Sequence, residues 1–169
     1  RTFSCVVPRV DFYVTEDAQA DARLALACRV VEKAYLARQQ VLVWCGDSPT
    51  LTRLDELLWT FSDGSFVPHD VLDTTVPVET ARAPVSLTTD QAVSSHYDLL
   101  VNITDTAPAC WTAFERVVEI LDGNNAVRQA ARERFRLYRE RGIEPETHAI
   151  ATDGRRPTGG RATRANHSN

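Results

Sequence analysis

No apolar run in this sequence approaches the roughly 20 residues needed to span a bilayer, and its start, RTFSCVVPRV, lacks the long apolar core of a secretion signal. Nothing in it requires a membrane, and a cytoplasmic location is expected. Methionine is absent altogether, the first position included, as in a chain that has been clipped or whose start is misassigned; residues 1–9 read as an N-terminal extension. The four cysteines, Cys5, Cys28, Cys45 and Cys110, are scattered without paired spacing. Cys28 and Cys45 sit within apolar patterns, which favours buried free thiols over a disulfide frame or a metal site. His69, His96, His148 and His167 share no ligand spacing with one another or with the cysteines, so no metal is expected.

Glycine is missing where nucleotide sites need it. Open α/β sheets let a helix N-terminus approach a phosphate through a glycine-rich turn. Here the turn after the first expected strand reads EDAQAD, and the one after the second reads GDSPT, with one glycine and no following lysine. Neither a dinucleotide fingerprint nor a Walker A loop is present. Ser48 lacks the glycine frame of a nucleophile elbow, and Cys45 has no basic neighbour in sequence to make it a thiolate. Asp55 and Glu56 fall opposite the leucines of their helix and read as solvated charges. The expectation is a protein without an active site or cofactor of its own.

What is present is a globular composition: 169 residues, 43% hydrophobic and 25% charged, enough for one domain with a real core. Val10 to Thr15 (VDFYVT) reads as a first strand. From Ala18 to Arg38 an apolar stripe (Leu24, Cys28, Val31, Tyr35, Leu36) marks an amphipathic helix. Val41 to Cys45 is a continuous apolar strand, of the kind buried on both faces of a parallel sheet. Ser48 as N-cap and Pro49 at the first helical position open a second helix, with Leu51, Leu54, Leu57 and Leu58 inward. Residues 60–84, broken by Gly64, Pro68, Pro77 and Pro84, read as a long connection. Strands are expected again at Val85–Leu87 and Tyr97–Thr104, and Val117–Leu121 fits a strand or a helix end. The alternation predicts an α/β domain over residues 10–150: a mainly parallel sheet with helices on both faces and right-handed crossovers, Rossmann-like in topology. Residues 151–169, without an apolar anchor, read as a disordered tail.

The net charge of −4 conceals a division. Residues 1–123 hold nine basic and eighteen acidic side chains and residues 124–169 ten and five, so the two parts stand at −9 and +5. The basic part centres on RQAARERFRLYR, Arg128 to Arg139, a stretch free of proline and glycine that predicts a helix of about four turns. Arg128, Arg132, Arg136 and Arg139 recur at four, four and three and project to one side; Ala131, Phe135 and Tyr138 form a neighbouring strip. A basic face beside apolar residues on an acidic body suits a small acidic ligand or peptide. Direct binding of single-stranded nucleic acid by the same helix is the alternative, with aromatics available for stacking, but most of the domain would repel phosphate.

Four segments in order, VDFYV, VLVWCGDSPTLTRLDELLW, SFVPH and RQAARERFRLYR followed by Arg141 and Gly142, resemble the chi-subunit family of bacterial DNA polymerase III. The resemblance runs from about residue 10 to residue 150. It implies a noncatalytic subunit of the clamp-loader assembly with two binding surfaces. One, on the arginine-rich helix and the preceding strand end, takes the acidic C-terminal tail of single-stranded-DNA-binding protein, and by motif position comprises Leu121, Arg128, Arg132, Phe135, Arg136 and Arg139. Phe135 stands where the family usually has tyrosine, which keeps the aromatic face and loses a phenolic hydrogen bond. The other, around Trp59 and Phe66, takes the psi subunit, and in some bacteria the resemblance lends it to a competing repair helicase.

Overall fold

The computed structural model of the protein describes residues 7–61, 64, 66–72, 82–89 and 97–150. Among them the chain runs β1 (Arg9–Thr15), α1 (Ala22–Leu36), β2 (Val41–Trp44), α2 (Ser48–Thr60), β3 (His69–Val71), β4 (Val85–Thr88), β5 (Leu99–Asn102), a 3-10 turn (Trp111–Ala113), β6 (Arg116–Leu121), α3 (Asn125–Glu140) and β7 (Glu146–Ile150). The strands form one sheet in the order β3-β4-β2-β5-β6-β1-β7, every pair parallel. The Rossmann-like α/β architecture expected from the alternation of elements is the one observed.

A strand period of two divides the core into two layers. Val41, Val43, Leu99, Val101, Val118 and Ile120 meet α1 and α2 on one face. Val10, Phe12, Leu42, Trp44, Leu100, Val117 and Leu121 meet α3 and the 3-10 turn on the other. Burial of the central strands on both faces explains their apolar runs VLVW and LLV.

Several boundaries differ from the expectation. Asp47, not Ser48, caps α2, its carboxylate accepting from the Thr50 N–H at 2.7 Å; Ser48 and Pro49 are the first two helical residues. Aspartate is as good a cap as serine, and the extra residue admits proline without losing a hydrogen bond. Helix α1 is shorter at both ends than Ala18–Arg38, and β5 is half the length of Tyr97–Thr104. The stretch 60–84 is not wholly irregular: its His69–Val71 is an edge strand, too short and too exposed to show a pattern. Val117–Leu121 lies within a strand. Strand β7 is an addition to the expected elements: none of Glu146–Ile150 is fully buried, and only His148 and Ile150 are half-buried, so the segment carries no apolar alternation. Arg9, placed in the N-terminal extension, belongs to β1, whereas residues 1–6 and the expected tail 151–169 lie outside the described residues.

Two glycines fix the ends of α3. Gly142, at φ +83°, closes the helix: its N–H donates to the Arg139 carbonyl and the Ile143 N–H to that of Tyr138, both at 3.0 Å. This double bond pattern needs a left-handed residue, and buried Ile143 packs back onto the helix. At the other end Gly123 passes so close to the β1–α1 turn that a Cβ would lie 2.1 Å from the Glu16 carbonyl oxygen.

Candidate interaction surfaces

Helix α3 is built by turning one arginine inward. Ala131, Arg134 and Tyr138 are its buried residues, spaced three and four apart against the sheet. Arg134 Nε donates to Glu119 Oε2 at 3.0 Å, the Tyr138 hydroxyl donates to Oε1 at 2.6 Å, and Asn102 Nδ2 donates to Oε2 at 3.0 Å. Burial raises the Glu119 pKa, against the opposing pull of the Arg134 charge and the three hydrogen bonds. The Tyr138 hydroxyl is pushed upward by the same burial and by the facing carboxylate.

With that face fixed, the other arginines are presented outward. Arg132, Arg136 and Arg139 are exposed, and Arg128 and Phe135 lie at the margin, half-buried. Leu121, Arg128, Arg132 and Phe135 come together with Phe12, Val14, Ala131 and Thr147 around a groove of about 210 Å³ between α3 and the β1–β7 edge. Arg132 and Phe135 also border an adjoining depression of about 460 Å³ with Arg136, Arg139 and Glu140. All six residues assigned to the tail-binding surface thus lie along one continuous concavity. The Phe135 ring is held by Phe12, centroids 5.5 Å apart, and Phe12 in turn meets Tyr138 at 6.0 Å. Arg128 is anchored by its Nε on the Asp122 carbonyl oxygen at 3.3 Å. Among the described residues Arg128, Arg132 and Arg139 form no ion pair with an acid of the protein, and Arg136 reaches Glu133 only at 3.9 Å, both highly exposed. The guanidinium groups therefore remain available to an outside carboxylate.

Sequence patterning missed three walls of this groove. Phe12 and Val14 read simply as strand core, and Thr147 sits on the unanticipated β7. Arg134 falls outside the row of four arginines read from the sequence, and only its spacing from Ala131 and Tyr138 signals an inward position.

The second pair lies far along the sheet, at its β3 end. Trp59, near the end of α2, is 49% exposed and Phe66 61% exposed, and their rings touch at 5.3 Å. Trp59 also leans on His69, ring centroids 4.6 Å apart. Asp55, taken as a solvated charge, instead contacts His69 Nε2 at 2.6 Å. Glu56 pairs with Arg53 on the surface.

Elsewhere, the crevice beyond the carboxyl ends of β5 and β6, where such sheets usually take ligands, is occupied by Arg23. Its guanidinium donates to the Ile120 and Thr104 carbonyls, each at 2.7 Å, and to Asp105 at 2.9 Å. Among the described residues, Asp11, Glu146 and His148 approach closely enough to share a cation. Two cations of the protein already balance them: Arg116 on Asp11 at 2.8 Å and Arg9 on Glu146 at 3.3 Å. Cys28, Cys45 and Cys110 are free and buried, and burial pushes the Cys28 and Cys45 thiols up to about 12, which makes both inert. No helix of the described residues is long and apolar enough to cross a membrane.

Residues 7–146 match the family model described as DNA polymerase III chi subunit, HolC. The chain belongs to the DNA polymerase III chi subunit family. It is 42% identical over 142 residues to the DNA polymerase III subunit chi of Pseudomonas aeruginosa, covering 84% of this chain and 96% of that one. The Escherichia coli K12 subunit chi is 33% identical over 125 residues, 72% of this chain and 82% of that one. Membership makes the chain an accessory subunit of the replicative polymerase. Among solved structures, a Saccharomyces cerevisiae Dbp5 variant bound to RNA and ADP BeF3 superposes with a TM-score of 0.61 at 11% identity, covering 88% of this chain and 42% of that one. That likeness shows the fold alone.

Proposed function

We propose that this chi-family chain is a noncatalytic connector: the Trp59–Phe66 surface docks the psi subunit and thereby the clamp loader, while the α3 groove captures the acidic C-terminal tail of single-stranded-DNA-binding protein. The observation that carries the reading is the row Arg128, Arg132, Arg136 and Arg139, held internally by no more than a backbone contact from Arg128 and one long, exposed pair from Arg136, beside an apolar slot walled by Leu121 and Phe135. A disordered tail bearing several carboxylates and ending in an aromatic residue needs both features at once. Planar guanidinium forks hold carboxylates by paired hydrogen bonds, and the slot takes the ring. Ordering the tail opposes binding, which sets an expected affinity in the micromolar range, about −8 kcal/mol.

The test is calorimetry with a synthetic tail peptide. Arg132 borders both parts of the concavity, so Arg132→Ala is expected to weaken binding about tenfold and to flatten its salt dependence. Deleting the last two residues of the peptide is expected to abolish binding. Equal affinities for wild type and Arg132→Ala remove the assignment. Tight binding of single-stranded DNA without the partner protein transfers the groove to nucleic acid.

A further inference from the structure

His69 has no part in the reading above, yet it lies directly beneath the exposed aromatic pair. Its side chain is fully buried at the start of β3. The ring stands 4.6 Å from the Trp59 indole at 45°. Both ring nitrogens face oxygen: Nδ1 lies 2.8 Å from the Val67 carbonyl and Nε2 2.6 Å from Asp55 Oδ1. A carbonyl oxygen only accepts, and so does an ionised carboxylate. Both contacts are therefore hydrogen bonds at the same time only when the ring carries both protons.

A ring so protonated is a cation against an indole face, an attraction that orients the indole as well as holding it. Asp55, one turn before Trp59 on α2, supplies the balancing charge. The remaining charged groups of these elements are engaged elsewhere. Arg53 is taken by Asp21 and Glu56, and the Asp70 carboxylate accepts from the backbone N–H groups of Arg82 and Ala83.

We propose that His69, clamped between Asp55 and Val67, is the positioning residue of the Trp59–Phe66 surface, and that its doubly protonated ring makes capture of the partner there depend on pH. Loss of one proton sets a bare ring nitrogen against an oxygen that cannot donate. The clamp opens on that side, and Trp59 and the Phe66 ring resting on it lose their platform. The proposal rests on the reading that this surface takes the psi subunit.

The experiment measures affinity for purified psi by calorimetry at about pH 6 and about pH 8, the range over which histidines commonly change charge. Wild type is compared with His69→Phe, which keeps a ring under Trp59 but has no proton to lose, and with Trp59→Ala. Comparing the two pH profiles cancels any titration on psi itself. Wild type is expected to lose about tenfold in affinity from the lower to the higher pH, while His69→Phe is weaker at the lower pH and flat across both. A flat wild-type profile, or one that His69→Phe reproduces, overturns the proposal while leaving the surface assignment intact. If Trp59→Ala binds psi as wild type does, the surface assignment falls as well. Should His69→Phe not fold, the difference in fluorescence between wild type and Trp59→Phe decides: quenching of Trp59 at the lower pH supports the clamp, and a pH-independent signal overturns it.

Discussion

Arg134 and Glu119 form a buried ion pair at 3.0 Å, although Arg132 and Arg136, two residues to either side of the arginine, are in solvent. The pair fixes how α3 is rotated on the sheet, and with it which arginines face outward. Breaking one partner leaves an uncompensated charge in the interior. Arg134→Met or Glu119→Gln is expected to lower stability by about 3–5 kcal/mol in urea unfolding, whereas the double change Glu119→Leu with Arg134→Met recovers most of that loss. Recovery of stability without recovery of tail-peptide affinity in the double variant would show that the pair serves orientation more than stability.

Asp11 lies at the centre of a second buried cluster, on β1 between β6 and β7. Burial raises its pKa, but hydrogen bonds from His148 and Arg116 and the charges of Arg116 and Arg9 outweigh this and hold the carboxyl below its ordinary value. A depressed carboxyl stabilises the fold fully above the ordinary carboxylate range, and the stabilisation is lost as pH falls through the folded value. Asp11→Asn is expected to cost about 2 kcal/mol near pH 6, and the gap to wild type should close as the pH is taken below about 4. Urea midpoints across that range measure it, and a gap that widens in acid contradicts the sign.

The architecture was legible because its signals are local. VLVW and the stripe of Leu51, Leu54 and Leu58 state their burial in their own spacing. The arginine helix likewise declared its length and its basic face. Contacts between distant residues left no such mark. Asp11 meets His148 across 137 positions, Glu119 meets Arg134 only once α3 has folded back on β6, and Asp55 looks solvated until β3 brings His69 beside it. Edge strands β3 and β7 escaped for a related reason: an exposed strand needs no apolar alternation, since its pairing is supplied by a neighbour.

Gly123 is the narrowest point between the β1–α1 turn and the loop that starts α3. Its N–H donates to the Asp17 carbonyl at 2.9 Å, and any Cβ would collide with the Glu16 backbone, which has no flexible end to give way. Gly123→Ala is expected to lower stability by about 2 kcal/mol or more in thermal unfolding. Because the neighbouring Asp122 carbonyl anchors Arg128, tail-peptide affinity should fall with it. Unchanged melting and affinity together contradict the close approach.

Phe66 separates the proposed docking role of its surface from any structural one. Its ring is 61% exposed and its only ring contact among the described residues is Trp59, so truncation opens no cavity in the core. Phe66→Ala is expected to change stability by less than about 1 kcal/mol, the worth of one exposed aromatic pair. Exposed aromatics of this size, when they anchor an interface, carry about 2 kcal/mol or more of its binding energy. Co-purification with psi should therefore be lost while the melting temperature and tail-peptide affinity stay as in wild type. Trp59→Ala should lose psi as well but melt lower, because the indole covers the buried His69. Retention of psi by Phe66→Ala would mean that the partner docks elsewhere, and a fall in melting temperature as large as that of Trp59→Ala would mean that the ring belongs to the core.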